Sequence, residues 1–316
     1  MTADPGTLRI GTRGSDLALW QARRVADLVS RLPGAPAVDL VVIRTEGDRI
    51  TDVPLSRIAG KAFFTKEIEE ALTRGEVDLA VHSLKDLATR LPAGLAVAAV
   101  LEREDPRDAL LAAAPVTVDT LPPGARVGTS SLRRRAMLAR ARPDLALVEL
   151  RGNVPTRIER MLAGRYDAIV LAAAGVKRLG LTQHVRALLP PDRFLPAVAQ
   201  GAMAVQARAG DERVLRWLAP LDHAATRAAT AAERALLARL EGGCQIPVGA
   251  LAEVVDGTLK LRAEVCSLDG SRTVTGCREG EPVEPERLGV ELAEELAALG
   301  AAEILDEIRA ALAEAR

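Results

Sequence analysis

The feature that most constrains the fold of this 316-residue chain is an alternation of short apolar runs with amphipathic segments. Four early runs have the length and β-branched content of buried strands: LRIGTR (8–13), VDLVVIRT (38–45), DLAVHSL (78–84) and GLAVAAVLE (94–102). Helical periodicity follows Ser15 and Thr65, and we expect both residues to cap helices. This order predicts a mostly parallel sheet covered by helices on both faces.

The same order repeats in the middle of the chain. ARVGTSS is a predicted strand that runs into a Ser-capped helix, LALVELRGN is a predicted strand followed by a helix, and YDAIVLAAAG is another strand. The charged segment 102–108 is the predicted linker between the two halves. Past Gln200 we predict a long helix ending at a Gly-Gly turn, three short strands, and one C-terminal helix from Pro285 to Arg316. The predicted fold class is therefore α/β, with two doubly wound α/β domains and a smaller α+β C-terminal domain.

Composition excludes several classes of protein. The formal net charge of −1 is unlike that of a generic nucleic-acid binder. Three cysteines without a C-x-x-C pair and three histidines are too few for a common zinc site or a disulfide framework, so we expect no metal. We recognise no secretory signal and no apolar run of membrane-spanning length, so a cytoplasmic protein without a membrane partner is expected.

The predicted strand ends carry the functional signal. They read GTRGS, HSLKD, GTSSLRR and LRGNVPTR, and ligands of such sheets bind at these ends, near helix N-termini. Free helix N–H groups attract anions, and guanidinium forks bind carboxylates or phosphates in pairs. The arginines available for this are Arg13, Arg133, Arg134, Arg151, Arg157 and Arg178. The alternative is that the hydroxyls are simple helix caps and the arginines are solvated or paired with acids, as we expect of Arg135 and of Lys177.

HSLKD places Lys85 and Asp86 at another strand end. Nearby cations would keep Asp86 ionised, so that its carboxylate could accept N–H donors from a ligand or stabilise a developing cation. The alternative is an ion-paired turn. His82 is expected to be a packed, hydrogen-bonded residue rather than a ligand or a base.

These motifs also resemble those of a known family. RIGTRGSDLALWQ, GKAFFTKEIE, DLAVHSLKD, EREDPRDALL, GTSSLRRRA, YDAIVLAAAGVKRLG, PAVAQGA and AERALLARLEGGCQIPVGA occur in the order and with the spacing found in the hydroxymethylbilane synthase (porphobilinogen deaminase) family. The resemblance covers roughly residues 8–315. It implies domains like those of periplasmic binding proteins, with residues 1–102 and 200–220 in the first, 103–199 in the second and 221–316 in the third.

The resemblance implies an enzyme of porphyrin (heme) biosynthesis. Such a transferase joins four porphobilinogen molecules head to tail, with loss of ammonia, into the linear tetrapyrrole hydroxymethylbilane. It builds the product on a dipyrromethane cofactor that is attached through a thioether to a cysteine, here Cys244. Asp86 and Lys85 match catalytic positions of the family. A monomer is expected.

Further positions are carried over from the resemblance. The expected cofactor-binding residues are Ser15, Lys85, Asp86, Thr129, Ser130, Ser131, Arg133, Arg134, Gly152 and Arg157. The expected substrate-binding residues are Arg13, Ser15, Arg151, Arg157, Arg178 and Gln200.

The chain departs from the family pattern at Asp16, Ala62, Pro155 and Ala199, none of which is a proposed catalytic residue. The loop 48–61 is a candidate lid.

Two other classes of protein share paired α/β lobes with an anion cleft, namely solute-binding proteins and ligand-sensing regulators. A solute-binding protein has no use for a reactive cysteine loop in a third domain, and no DNA-binding helix pair is evident for a regulator.

Overall fold

The computed structural model describes residues 6–49, 65–240 and 246–314. These residues divide into two compact units. Unit 1 holds residues 6–49, 65–103 and 202–227, and unit 2 holds residues 104–201, 228–240 and 246–314. The chain therefore passes from unit 1 to unit 2 after Arg103 and returns after Gly201. The division into three domains stays a prediction.

Unit 1 is built on a mixed five-stranded sheet. Its strands are β1 (Thr7–Thr12), β2 (Ala37–Val42), β3 (Leu79–Ser83), β4 (Leu95–Val100) and β10 (Met203–Arg208). The strand order is β2-β1-β3-β10-β4. The strands β1, β2 and β3 pair in parallel, whereas β10 is antiparallel to both of its neighbours. Leu8, Ile10, Leu79 and Val205 are buried in the core of this unit.

The helices of unit 1 connect these strands. They are α1 (Asp16–Ser30), α2 (Glu46–Arg49), α3 (Lys66–Thr73) and α7 (Glu212–Leu218), with 3₁₀ turns at Leu84–Asp86 and Ala219–Leu221. The predicted cap of α1 is confirmed, because the Ala18 N–H donates to Ser15 Oγ at 3.4 Å. The predicted cap of α3 is wrong. The Thr65 hydroxyl makes no capping bond and lies 3.5 Å from a carboxylate oxygen of Glu69 instead.

Unit 2 contains a second mixed sheet with the same arrangement. Its strands are β5 (Asp108–Leu111), β6 (Arg126–Gly128), β7 (Ala146–Val148), β8 (Ala168–Ala172) and β9 (Val185–Leu188). The order is β7-β6-β8-β5-β9, with β5 antiparallel to both neighbours. In each sheet the antiparallel strand is the first strand made after the chain crosses between units, namely β5 after the crossing at Arg103 and β10 after the return at Gly201. Its helices are α4 (Leu132–Ala141), α5 (Val154–Leu162) and α6 (Ala173–Arg178), with a 3₁₀ turn at Thr182–His184.

The last part of unit 2 is a three-stranded antiparallel sheet with helices. Its elements are α8 (Ala224–Arg239), of which residues 224–227 belong to unit 1, then β11 (Val248–Val255), β12 (Thr258–Cys266), β13 (Thr273–Gly280), α9 (Pro285–Leu296), a π-helical turn (Ala297–Ala301) and α10 (Ala302–Glu314). The prediction of a single C-terminal helix is wrong, because Gly300 takes φ +106° and breaks it. Leu251 and Cys266 of this sheet share a hydrophobic core with Val127 and Met137 of the preceding α/β part.

The predicted α/β fold class is confirmed, including its small third sheet. The predicted linker 102–108 is wrong at its end, since Asp108 is a buried residue that begins β5. The strands β5, β9 and β10 were not predicted. Each has only four to six residues, too short a run for its sequence pattern to separate a strand from a helix.

Close packing of α9 on α8 gives a stability prediction. An added Cβ at Gly289 would overlap the carbonyl oxygen of Ala232 and lie 2.9 Å from the Leu236 amide nitrogen. Helix propensity alone favours alanine over glycine by about 1 kcal/mol. We expect the opposite sign here, with Gly289→Ala destabilising the protein by about 1–3 kcal/mol because backbone atoms cannot move aside cheaply. Urea unfolding measures the difference, with the exposed Glu286→Ala in the same helix as a near-neutral control. A stabilised Gly289→Ala would contradict the packing.

Candidate functional site

Two predicted motifs meet at one edge of the first sheet. Arg13 follows β1 directly, and Lys85 and Asp86 form the turn after β3. Since β1 and β3 are adjacent and parallel, their carboxyl ends lie at the same edge. Ser15, at the start of α1, belongs to the same edge. Asp86 is exposed and Lys85 is half-buried, so both side chains can meet a ligand there.

The turn that carries Asp86 is held by neighbouring elements of unit 1. The Leu84 N–H donates to the Ala202 carbonyl at 3.0 Å, and the Leu84 side chain is buried. Before the turn, the Gln21 amide donates to the Ser83 hydroxyl at 2.8 Å. The carboxylate of Asp86 therefore projects from a braced turn, which limits the entropy lost when it engages a ligand.

A buried polar network lies just before this turn. The His82 Nε2 is 3.0 Å from Gln206 Oε1, and the Gln206 amide donates to Glu69 at 3.0 Å. Because the Gln206 nitrogen donates to Glu69, its oxygen accepts a hydrogen bond from the Nε2–H of His82. Burial, together with the nearby Arg13, lowers the pKa of His82 to about 4, although the hydrogen bond to Gln206 acts in the opposite direction. The expectation of a packed, hydrogen-bonded His82 is confirmed.

This network predicts an acid sensitivity with a defined pH window. His82 is neutral in both states above its ordinary pKa of 6.5, but between pH 6.5 and about 4 only the unfolded chain takes up the proton. Stability is therefore lost as the pH falls through this window, by on the order of 3 kcal/mol. Thermal unfolding from pH 7.5 to 4 should show a shallower loss for His82→Gln than for the wild type. Burial raises the pKa of Glu69, which acts in the opposite direction in both proteins. Parallel curves for the two proteins would contradict this role of His82.

The second sheet presents hydroxyls at the end of β6. The Ser131 Oγ caps α4 by accepting the Arg134 N–H at 3.4 Å. The Ser130 hydroxyl donates to the Leu150 carbonyl, and Thr129 Oγ accepts the Ser131 N–H at 3.3 Å. These contacts join the ends of β6 and β7 in one edge. They also show that each of the three hydroxyls already has a structural role. This agrees with the alternative reading of the motif, in which the hydroxyls serve the fold rather than bind a ligand.

Arg133 and Arg134, in the first turn of α4, are buried and meet one carboxylate. Asp108 Oδ2 accepts from Arg133 Nη2 and Asp108 Oδ1 from Arg134 Nη2, both at 2.7 Å. Burial alone would raise the pKa of Asp108, but the two guanidinium groups outweigh it and hold that pKa well below its usual range. Burial lowers the pKa of Arg133. Its buried Nε has no acceptor among the residues that the structure describes.

The start of α5 carries Arg151, Gly152 and Arg157. Asn153 caps this helix through a 3.0 Å bond from the Thr156 N–H, and Pro155 is accommodated in its first turn. Gly152 takes φ +108°, a conformation that favours glycine. Arg157 Nε donates to the Gly152 carbonyl at 2.6 Å. Both arginines are half-buried beside a helix N-terminus, an arrangement suited to carboxylates.

Arg178 and Gln200 lie where the chain returns towards unit 1. Arg178 Nη2 donates to the Gly201 carbonyl at 2.6 Å, and burial lowers the pKa of Arg178 to about 10. Gln200 is fully buried, and its amide donates to Asp108 and to the Pro106 carbonyl at 2.8 Å each. Gln200 is thus buried within unit 2, at the edge of the second sheet where β5 begins and β8 ends.

Ala199, one of the departures from the family pattern, has φ +59°, in the region that favours glycine. Its N–H donates to the buried Glu233 of α8 at 2.6 Å.

Arg135 and Lys177 were expected to have structural or solvent-facing roles, and this is confirmed. Arg135 donates to the Leu147 carbonyl, and the exposed Lys177 pairs with Glu104 at 2.8 Å.

Several predicted residues lie outside the described part of the chain. Cys244 falls within 241–245, and both Ala62 and most of the loop 48–61 fall within 50–64. Of the other cysteines, Cys266 is buried and Cys277 is exposed. The described residues contain no group of three or more potential metal ligands. Over the same residues, no helix has the length and apolar character needed to cross a membrane.

The site contains one residue that the sequence motifs missed. Asp108 joins Arg133, Arg134 and Gln200, but it was assigned to a linker. A signal was available, because an acid directly before the apolar run ALLA must find partners if that run is a buried strand.

Fold and site together define an α/β protein with arginine-rich, hydroxyl-bearing strand edges suited to a polycarboxylate ligand. Residues 8–216 match the family model "Porphobilinogen deaminase, dipyromethane cofactor binding domain", and residues 228–298 match "Porphobilinogen deaminase, C-terminal domain". The chain belongs to the porphobilinogen deaminase family. The predictions of a hydroxymethylbilane synthase enzyme, of a role in tetrapyrrole biosynthesis and of a dipyrromethane cofactor are thereby confirmed.

Solved structures with similar folds are distant. An ABC transporter periplasmic substrate-binding protein from Coxiella burnetii is 15% identical with a TM-score of 0.44, over 68% of this chain and 91% of that one. A putative methionine-binding lipoprotein from Bacillus subtilis is 13% identical with a TM-score of 0.42, over 68% and 90%.

Proposed function

We propose that this protein condenses four porphobilinogen molecules head to tail, with release of ammonia, to give hydroxymethylbilane. The observation that carries the proposal is the family match over both domains, which coincides with the arginine-bearing strand edges. Each porphobilinogen brings two carboxylates, so a growing chain accumulates negative charge. Burying such groups costs several kcal/mol each unless cations and N–H donors meet them.

The described residues fit a dipyrromethane with its carboxylate side chains. Arg133 and Arg134 place two positive charges around the single carboxylate of Asp108, which leaves one charge uncompensated within that trio. The orphaned Nε of Arg133 is a buried donor that a ligand carboxylate could satisfy. When bound, the dipyrromethane supplies the terminal pyrrole carbon to which a new unit is joined.

We assign the remaining roles by position. Thr129, Ser130, Ser131, Gly152 and Arg157 line the edge of the second sheet and would contact the cofactor. Arg13, Arg151 and Arg178 would bind the carboxylates of substrate and product, with Ser15 shared between cofactor and substrate. Gln200 would act from the interior of unit 2 by holding Asp108 and Arg134.

Asp86 is the proposed catalytic residue, assisted by Lys85. The C–N bond of the substrate's aminomethyl group breaks, ammonia leaves with the electron pair, and positive charge develops on the methylene carbon and pyrrole ring. The exposed carboxylate of Asp86 would stabilise that charge and accept the pyrrole N–H. The new C–C bond would form between this methylene carbon and the terminal pyrrole carbon that the cofactor supplies, and the proton released there would go to the departing ammonia, giving ammonium.

We further propose that Cys244 anchors the cofactor and that the protein is a cytoplasmic monomer. Light scattering after size-exclusion chromatography tests the monomer. The test of the function is the intact mass of protein purified from cells that make porphobilinogen. A mass heavier than the sequence by a two-pyrrole adduct, together with ammonia release on adding porphobilinogen, is the expected result. An unmodified, inactive protein that binds a small carboxylate reversibly would favour a solute-binding function instead.

A further inference from the structure

Asp108 holds together two arginines that come from one helix and a glutamine from the returning segment. It is 1% exposed. Its Oδ2 accepts from Arg133 Nη2, whereas Oδ1 accepts from Arg134 Nε at 3.1 Å, Arg134 Nη2 at 2.7 Å and Gln200 Nε2 at 2.8 Å. One carboxylate thus receives four hydrogen bonds, three of them from guanidinium groups.

Backbone carbonyls complete the immobilisation of both guanidinium groups. Arg133 Nη1 donates to the Leu195 carbonyl at 2.6 Å, and Arg134 Nη1 donates to the Val170 carbonyl at 3.0 Å. Neither guanidinium can swing towards a ligand without breaking buried bonds. The two arginines are therefore a preorganised pair whose position depends on Asp108.

The charge balance of this cluster favours one more anion. Arg133 and Arg134 carry two positive charges against the single negative charge of Asp108. The next acid that acts on Arg133 is Glu264, which already pairs with Arg140 at 3.0 Å. When the Arg140–Glu264 pair is included, the cluster contains three cations, Arg133, Arg134 and Arg140. Only two carboxylates, those of Asp108 and Glu264, balance them. A buried excess of positive charge is costly, and a ligand carboxylate would relieve it.

We propose that Asp108 is a positioning residue for cofactor capture, which holds Arg133 and Arg134 in place and leaves one net positive charge for a single carboxylate of the dipyrromethane. The inference rests on the proposed function, because it assigns these arginines to that ligand. Asp108 itself touches neither substrate nor cofactor. Removing its charge would both free the guanidinium groups to move and increase the positive charge, so tight capture would be lost although the local charge favours anions.

The test is cofactor loading of apo-protein made in cells that cannot produce porphobilinogen. Apo wild type and Asp108→Asn are incubated with increasing porphobilinogen, and the fraction carrying the two-pyrrole adduct is read from the intact mass. We expect Asp108→Asn to need about 10- to 100-fold more porphobilinogen for half-loading, the range set by the loss of charged hydrogen bonds to the pair. Circular dichroism and thermal unfolding report whether the variant is folded.

Asp78→Asn is the matched control. Asp78 is 2% exposed and pairs with Arg9 at 3.1 Å, but it precedes β3, at the end of that strand away from Asp86. We expect this variant to lose stability and still load at the wild-type concentration. Loading of folded Asp108→Asn at the wild-type concentration would overturn the proposal. An equal loading defect in Asp78→Asn at matched stability would overturn it too, because it would trace the defect to stability alone.

If Asp108→Asn does not fold, the variant Asp108→Glu tests the positioning role of Asp108 instead. It keeps the charge and moves the carboxylate by one methylene, so we expect half-loading at about 3- to 10-fold more porphobilinogen than wild type, a fraction of the loss set by the charged hydrogen bonds. Loading at the wild-type concentration would refute a positioning role. Failure of the wild type itself to gain an adduct would count against the proposed function rather than against Asp108.

Discussion

The Cys244→Ser variant is expected to fold but to carry no two-pyrrole adduct and to show no turnover. A cysteine thiolate is a strong nucleophile near neutral pH, whereas a serine hydroxyl at the same position is not ionised and cannot replace it. The intact mass of the variant should equal that of the sequence alone. Ammonia release from porphobilinogen should fall to the background rate, because no primer remains for chain growth.

The two other cysteines set the control for this experiment. Cys266 is buried, and burial raises the pKa of its thiol to about 11, which makes it a poor nucleophile. Cys277 lies on β13 and is exposed, so it is the competing anchor. We expect Cys277→Ser to keep the full adduct and activity. An adduct retained in Cys244→Ser would move the anchor to Cys277, and peptide mapping would locate it.

The Asp86→Asn variant is expected to keep its cofactor and lose about 10²- to 10³-fold in kcat. Asparagine has the shape of aspartate, and the turn is held by backbone contacts of Leu84 that do not involve the Asp86 side chain. Binding should therefore change less than turnover. What disappears is the negative charge that we propose to stabilise the cation formed as ammonia leaves.

Single-turnover measurements separate binding from chemistry in this variant. KM within a few-fold of wild type, with the rate of ammonia release reduced, is the expected pattern. Asp16→Asn is the matched control, because Asp16 is an exposed acid at the same sheet edge, in the first turn of α1. It should retain near-normal kcat. Near-normal turnover in Asp86→Asn would remove Asp86 from the catalytic role.

Local sequence predicted the features that depend on neighbouring residues. The caps at Ser15 and Ser131 follow from hydroxyls placed before helical periodicity, and both form. Thr65 failed as a cap because its backbone, with ψ −19°, is not in the extended conformation that Ser15 and Ser131 adopt, and its hydroxyl donates to Glu69 instead. The strand ends that carry Arg13, Asp86 and Arg151 were likewise readable from the alternation of strands and helices.

Features that depend on distant residues could not be predicted in this way. The strands β5 and β10 pair with strands that are remote in sequence, so their short runs gave no periodicity to recognise. Asp108 is buried because Arg133 and Arg134, about 25 residues away, neutralise it. Gln200 finds Asp108 from 92 residues away. Sequence motifs marked the arginines that we propose to bind anions, whereas the partners that fix these arginines could be identified only in the tertiary structure.

The position of β10 between β3 and β4 has a consequence for synthesis on the ribosome. The five strands of the second sheet come from the continuous stretch 108–188 and can assemble as soon as it emerges. The first sheet cannot close until residues 203–208 are made, so β3 and β4 wait with unpaired edges while the second sheet is translated. We expect the first sheet to form after the second, although its strands β1 to β4 are made earlier, and nascent chains stalled before residue 203 to depend on chaperones for solubility.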